Sequence, residues 1–85
     1  MYNKGEAVPT VLKVGKFKVY IYYQDHLPPH IHVQGPESEL KFLIQNMDCI
    51  YAYNISLKDI NKLQKYLKQF EFYFMEKWDE FQSKK

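Results

Sequence analysis

Three histidines, His26, His30 and His32, lie within seven residues of an 85-residue chain that has no others. They stand in the string Asp25-His26-Leu27-Pro28-Pro29-His30-Ile31-His32-Val33. Imidazole changes charge between about pH 5 and 8 and is the commonest metal ligand, so this string is where chemistry near neutral pH would be done. If the second half of the string is a strand, His30 and His32 share one face with Cα atoms about 6.6 Å apart, and both rings can reach one ion or one phosphate. Two consecutive prolines stiffen the approach, and an extended Pro28-Pro29 run at ~3.1 Å per residue puts His26 about 12 Å from His30. His26 and Asp25 join the pair only if the turn curls back.

Three roles fit these residues. In the first, His30 and His32 are solvent-facing strand residues stacked on Tyr20 and Tyr22 of the neighbouring strand. In the second they bind zinc or another transition metal with His26 as the further ligand, although no second carboxylate or cysteine stands at a recognisable ligand spacing. In the third there is no metal. One imidazole acts as base and the other as acid on a phosphodiester such as RNA, with Lys18 or the hydroxyl of Tyr20 or Tyr22 stabilising charge.

The elements around the string are legible from periodicity. Residues 10–14 are β-branched and apolar, and Gly15-Lys16 suits a two-residue type II′ hairpin. Residues 17–23 alternate, with Phe17, Val19, Ile21 and Tyr23 inward and Lys18, Tyr20 and Tyr22 outward. Residues 30–34 alternate again, and after the turn at Gly35-Pro36-Glu37-Ser38 a further strand buries Leu40, Phe42 and Ile44. Residues 47–55 are open between a fifth strand and a packed loop. The expected fold is α+β: an antiparallel meander of about four strands, one face covered by one long C-terminal helix, continuous or kinked.

That helix spans residues 57–82. Ser56 is its N-cap, with Asp59 in the capping-box position. At 100° per residue Ile60, Leu63, Leu67, Phe70, Phe74, Trp78 and Phe81 form one stripe, with Lys58, Lys62 and Lys65 among the residues opposite. Unbroken, the helix is about 39 Å long and overhangs the sheet or bends. Phe72 and Met75 fit the stripe badly. Either a kink tucks Phe72 into the core, or Phe72 and Met75 form a surface for a partner or a second copy.

Composition bounds the function. At this length the chain is a single domain, residues 1–85, with residues 1–7 read as a loose N-terminus. A multidomain enzyme is excluded. Hydrophobic residues make up 46% and aromatic residues 18%, enough for a dense core and against disorder. The net charge is only +2, and all twelve basic residues are lysine. Without arginine the chain lacks the planar fork that grips phosphate or guanine bidentately, which counts against a nuclease. The lysines of the helix stripe offer nucleic acid a bulk contact, although such a stripe is usually a solvated face. The single Cys49 forms no internal disulfide. With no leader-like start and no apolar run near ~18 residues, the reading is a cytoplasmic protein without a membrane span.

The strand after Pro9-Thr10, the Phe-rich second strand, the run His26-x-Pro28-Pro29-His30-Ile31-His32-Val33 and the ending Met75-Glu76-Lys77-Trp78-Asp79-Glu80-Phe81 together resemble a family of uncharacterised small bacterial proteins. Its members share a Pro-Pro-His-x-His signature in a domain of unknown function and are associated with toxin–antitoxin-like pairs. The resemblance implies a bacterial cytoplasmic protein with a small companion protein, and it points to His26, Pro28, Pro29, His30 and His32 as binding residues. The lack of arginine and the aromatic helix depart from that pattern. The expected function is a protein-interaction component, a toxin–antitoxin-like partner or self-associating module; the alternative is a histidine-dependent enzyme or metal-binding protein using His30 and His32.

Overall fold

A five-stranded antiparallel sheet, in the order β1-β2-β3-β4-β5, carries two helices in the computed structural model, which describes residues 9–83. The strands are β1 (Thr10–Val14), β2 (Phe17–Tyr20), β3 (His30–Gln34), β4 (Glu39–Leu43) and β5 (Cys49–Tyr53). The helices are α1 (Leu57–Lys68) and α2 (Glu71–Gln82). The expected loose N-terminus at residues 1–7 lies outside the described residues.

Each strand pairs with its neighbour in sequence, so short turns do most of the positioning. Gly15 has φ +58°, the left-handed value that the first position of a type II′ turn demands and glycine supplies without strain. Gly35 is fixed by space instead: a Cβ there would lie 2.7 Å from the ring of Phe17. The expected second strand is shorter than its alternation suggests, ending at Tyr20, although Ile21 remains fully buried.

Two expectations are corrected. There are five strands rather than four, because the tight turn at Asn46 and Met47 (φ 67° and 54°) sends the chain back along β4 as β5. Gln64 donates to the Met47 carbonyl at 3.0 Å, and the Met47 side chain is fully buried, so α1 pins the turn from beneath. The single long helix is two helices. The Phe70 amide donates to Leu67 at 2.9 Å, a tightened last turn, and the chain restarts when Phe74 donates to Phe70. The cause is size, since five-residue strands are about 17 Å long and a 39 Å rod would leave half its apolar stripe in water.

Across the break the stripe stays on the sheet. Leu63, Leu67, Phe74, Trp78 and Phe81 are buried against Val19, Ile31, Val33, Leu40 and Phe42. Phe72 is not tucked in by the break; it is 95% exposed, and Met75 is 38% exposed. Tyr73 donates from α2 to the Val11 carbonyl of β1 at 2.7 Å, and Gln82 donates to the Tyr22 carbonyl at 3.2 Å. Register places two ranks of side chains on the opposite face of the sheet. One runs Thr10, Tyr20, His32, Lys41, Tyr51; the other runs Lys13, Lys18, Gln34, Glu39, Tyr53.

Candidate metal centre

The chain leaves β2 at Tyr20 and returns to the sheet at His30, and the loop between them does curl back. The Leu27–Pro28 peptide is cis, and the ring of His26 lies 5.4 Å from that of His30. The extended path that kept His26 about 12 Å away is therefore not taken. Two carbonyls of the Pro-Pro pair hold the loop to its surroundings: Pro28 accepts from the His30 ring at 2.7 Å and Pro29 accepts from the Ile44 amide at 3.1 Å.

The curl delivers Asp25 to the histidine pair. Its Oδ2 lies 3.0 Å from His30 Nε2 and 3.3 Å from His32 Nε2, and the three atoms all lie within 4.8 Å of one another. Its other oxygen, Oδ1, accepts from the His26 amide at 2.8 Å and faces His26 Nδ1 at 3.0 Å. The third group at the pair is thus Asp25, and the exposed His26 orients it from outside. Sequence alone carried the signal, an acid next to the first histidine, but not the curl that makes it useful.

Neither ring faces solvent. His30 is only 4% exposed, with the Trp78 ring 5.3 Å from it, and the His32 side chain is 12% exposed. The expected stacking is found at His32: Tyr20 lies parallel to it at 5.3 Å and Tyr22 meets it edge-on at 4.6 Å. Tyr23 packs on Phe81 at 5.0 Å, so α2 backs the loop that carries Asp25.

Proton counting gives the site its character. The Pro28 carbonyl only accepts, so His30 Nδ1 carries a proton. In a neutral ring, Nε2 would then point its lone pair at a carboxylate oxygen 3.0 Å away, acceptor against acceptor. Three states relieve this conflict: an imidazolium, an Asp25 acid that donates its proton to the ring, or a cation between the atoms. Burial pushes the Asp25 pKa up, but the bonds from the His26 amide and His32 and the charge of the two rings outweigh it, and the net shift is down. Asp25 is a carboxylate at neutral pH. Burial pulls the His32 pKa below its ordinary value of 6.5 against the opposing pull of Asp25, leaving His32 neutral and able to ligate.

The remaining sequence candidates fall into two places. Tyr20 has its pKa pushed up by burial and by Tyr22, so it stays a phenol and serves as a hydrogen-bond donor rather than a base. Lys18 is exposed and lines a hollow of about 220 Å³ with Thr10, Tyr20, Tyr22 and Gln34 beside the site. Phe72 and Met75 are elsewhere, lining a separate hollow of about 300 Å³ with Ile44, Gln45 and Glu71. Among the described residues, no helix is long and apolar enough to cross a membrane.

The family described as "Domain of unknown function (DUF4160)" matches residues 17–79. The chain belongs to this family. The DUF4160 match runs from β2 through most of α2 and takes in Asp25 and all three histidines. No curated protein and no solved structure matches the chain.

Proposed function

We propose that Asp25, His30 and His32 form a mononuclear site for a divalent transition-metal ion, and that metal binding is the biochemical property of this domain. The observation that supports it is the wedging of His30 between two acceptors. A metal-ligating histidine typically donates its other ring N–H to a carbonyl, as His30 does to Pro28, and leaves the remaining nitrogen to the ion. Two of the three separations agree: with bonds of about 2.0–2.1 Å, two tetrahedral ligand atoms stand about 3.3 Å apart, against 3.0 and 3.3 Å from Asp25 to the two rings here, and all three atoms lie within 4.8 Å of one another. Two histidines and one carboxylate leave coordination positions for water or substrate, the pattern of catalytic rather than structural sites, and suit zinc or iron(II).

Zinc titrated into the protein at neutral pH is expected to bind at one ion per chain by calorimetry. The ring resonances of His30 and His32 should move together with it. Absence of heat, with both rings unmoved, overturns the reading and leaves the metal-free alternative, an Asp25–imidazolium pair able to move a proton.

A second reading rests on Phe72. Its ring stands in solvent directly beside the hollow formed by Ile44 and Met75, a projection and a recess on one patch. Such a patch is self-complementary, so the occupant that fits is a second copy, each Phe72 entering the other's hollow about a two-fold axis. The companion-protein role in a toxin–antitoxin-like pair of the cytoplasm, implied by the family resemblance, would draw on the same residues. Light scattering should show a concentration-dependent dimer that Phe72→Asp abolishes without loss of fold. A monomer at all concentrations removes this reading.

A further inference from the structure

We infer that the face of the sheet opposite the helices binds single-stranded nucleic acid. The inference needs no metal and stands beside the metal reading rather than on it.

Of the ten side chains in the two outward ranks, seven are aromatic rings or lysines and none is aliphatic. Tyr51 and Tyr53, on the edge strand β5, are 45% and 60% exposed. Every base has a π-face, so exposed rings on a sheet stack bases without regard to sequence. From β1 to β5 the face is four inter-strand spacings wide, about 19 Å, comparable to the sheets that stack two or three bases in common RNA-binding modules.

Charge selects the occupant. Within the two ranks Lys13, Lys18 and Lys41 stand against one acid, Glu39, and a second carboxylate, Asp25, lies against His32 where the loop meets the face. Lys13 and Lys18 are direct cross-strand partners and both are exposed. Like charges placed opposite each other destabilise a sheet, and a bound anion reverses the sign of that term. The polar hollow lined by Lys18, Thr10 and Gln34 is of a size to seat a phosphate group. Lys41 lies with its Nζ 5.7 Å from the Tyr51 ring centre, so one cation and one stacking surface are already adjacent. The missing arginine shapes the expectation: lysine and tyrosine suffice for backbone charge and stacking, but no planar guanidinium fork is there to read guanine, so sequence preference should be weak.

The test is fluorescence anisotropy with a labelled ten-nucleotide RNA of mixed sequence, its DNA counterpart, the matching duplex and inorganic polyphosphate. Each is measured from 50 to 300 mM salt, with EDTA and with zinc. Single strands should bind and the duplex and polyphosphate should bind more weakly. Three lysine contacts give a log–log salt slope of about −2, and Lys18→Gln should reduce it by about 0.7. Tyr51→Ala should weaken binding by about tenfold or more. Lys62→Gln with Lys65→Gln on α1 should change nothing.

No binding at 50 mM salt overturns the inference. So does binding that ignores Tyr51→Ala and Lys18→Gln, that is lost with the α1 pair, or that polyphosphate matches. Strand binding that persists in EDTA, in a protein that takes up no zinc, keeps this inference and sinks the metal reading; zinc uptake without strand binding does the reverse.

Discussion

Asp25→Asn should cost the protein its zinc affinity and leave its fold intact. The carboxamide has the shape of the carboxylate. Its oxygen can still accept from the His26 amide, while its NH₂ donates to His30 Nε2, and to His32 Nε2 once that ring takes its Nδ1–H tautomer. The acceptor-against-acceptor conflict at His30 disappears, so the ion-free variant should be no less stable than the parent. Outer-shell changes alone cost about 10–100-fold in metal affinity, so the loss of a ligand should cost at least about 100-fold. Calorimetry with zinc, paired with thermal unfolding of the ion-free protein, reads both halves.

Zinc binding at the proposed site carries an expected sign with pH in the unsubstituted protein. The ligands must be deprotonated to hold the ion, so titrations repeated at lower pH should show weaker affinity. For ion-free folding, a depressed His32 pKa means that the unfolded chain holds the proton more tightly. This stabilisation is complete above the ordinary 6.5 and is lost as pH falls below it towards the folded value. The depressed Asp25 pKa acts in the same direction further down, below its ordinary 3.8.

The second large effect lies in the core. Phe74→Ala is expected to lose about 3–5 kcal/mol of unfolding free energy, whereas Phe72→Ala, two residues away, should stay within about 0.5 kcal/mol of the parent. Phe74 is fully buried, with the Phe70 and Tyr73 rings 6.2 and 5.8 Å from it, and its removal opens a cavity under the sheet. Phe72 buries almost nothing. A chain of this length has roughly 4–13 kcal/mol to lose, so Phe74→Ala sits near the limit of folding. Phe74→Leu, with a loss of about 1–2 kcal/mol, keeps the comparison measurable in urea. Equal effects at positions 72 and 74 would contradict the assignment of the helix faces.

Those two phenylalanines mark how far the sequence could be read. A 100° repeat assigns Phe74 to the buried stripe and leaves Phe72 off it, and the structure agrees, because helical facing is a local property of spacing. The break at Phe70 has no such signature. No glycine or proline stands there; the helix divides because its stripe must return to strands only about 17 Å long, and sheet dimensions are not written in the helix. The fifth strand was ambiguous for a similar reason, since residues 49–53 gain their pairing from β4 and their turn from Asn46 and Met47.

By itself the sequence determined the antiparallel run of strands, the apolar stripe, the outward Lys/Tyr alternation and the placing of His30 and His32 on one strand face, since each follows from side-chain type and a period of 2 or 3.6. Only the tertiary structure decided what the histidines face. Whether Asp25 meets them depends on the path of seven residues through two prolines, on Trp78 closing over His30, and on Gln82 and Phe81 backing the loop from the far end of the chain. Periodicity carries no information about contacts between residues far apart in the chain, and it is those contacts that turn a histidine-rich string into a cluster with one carboxylate oxygen between two imidazoles.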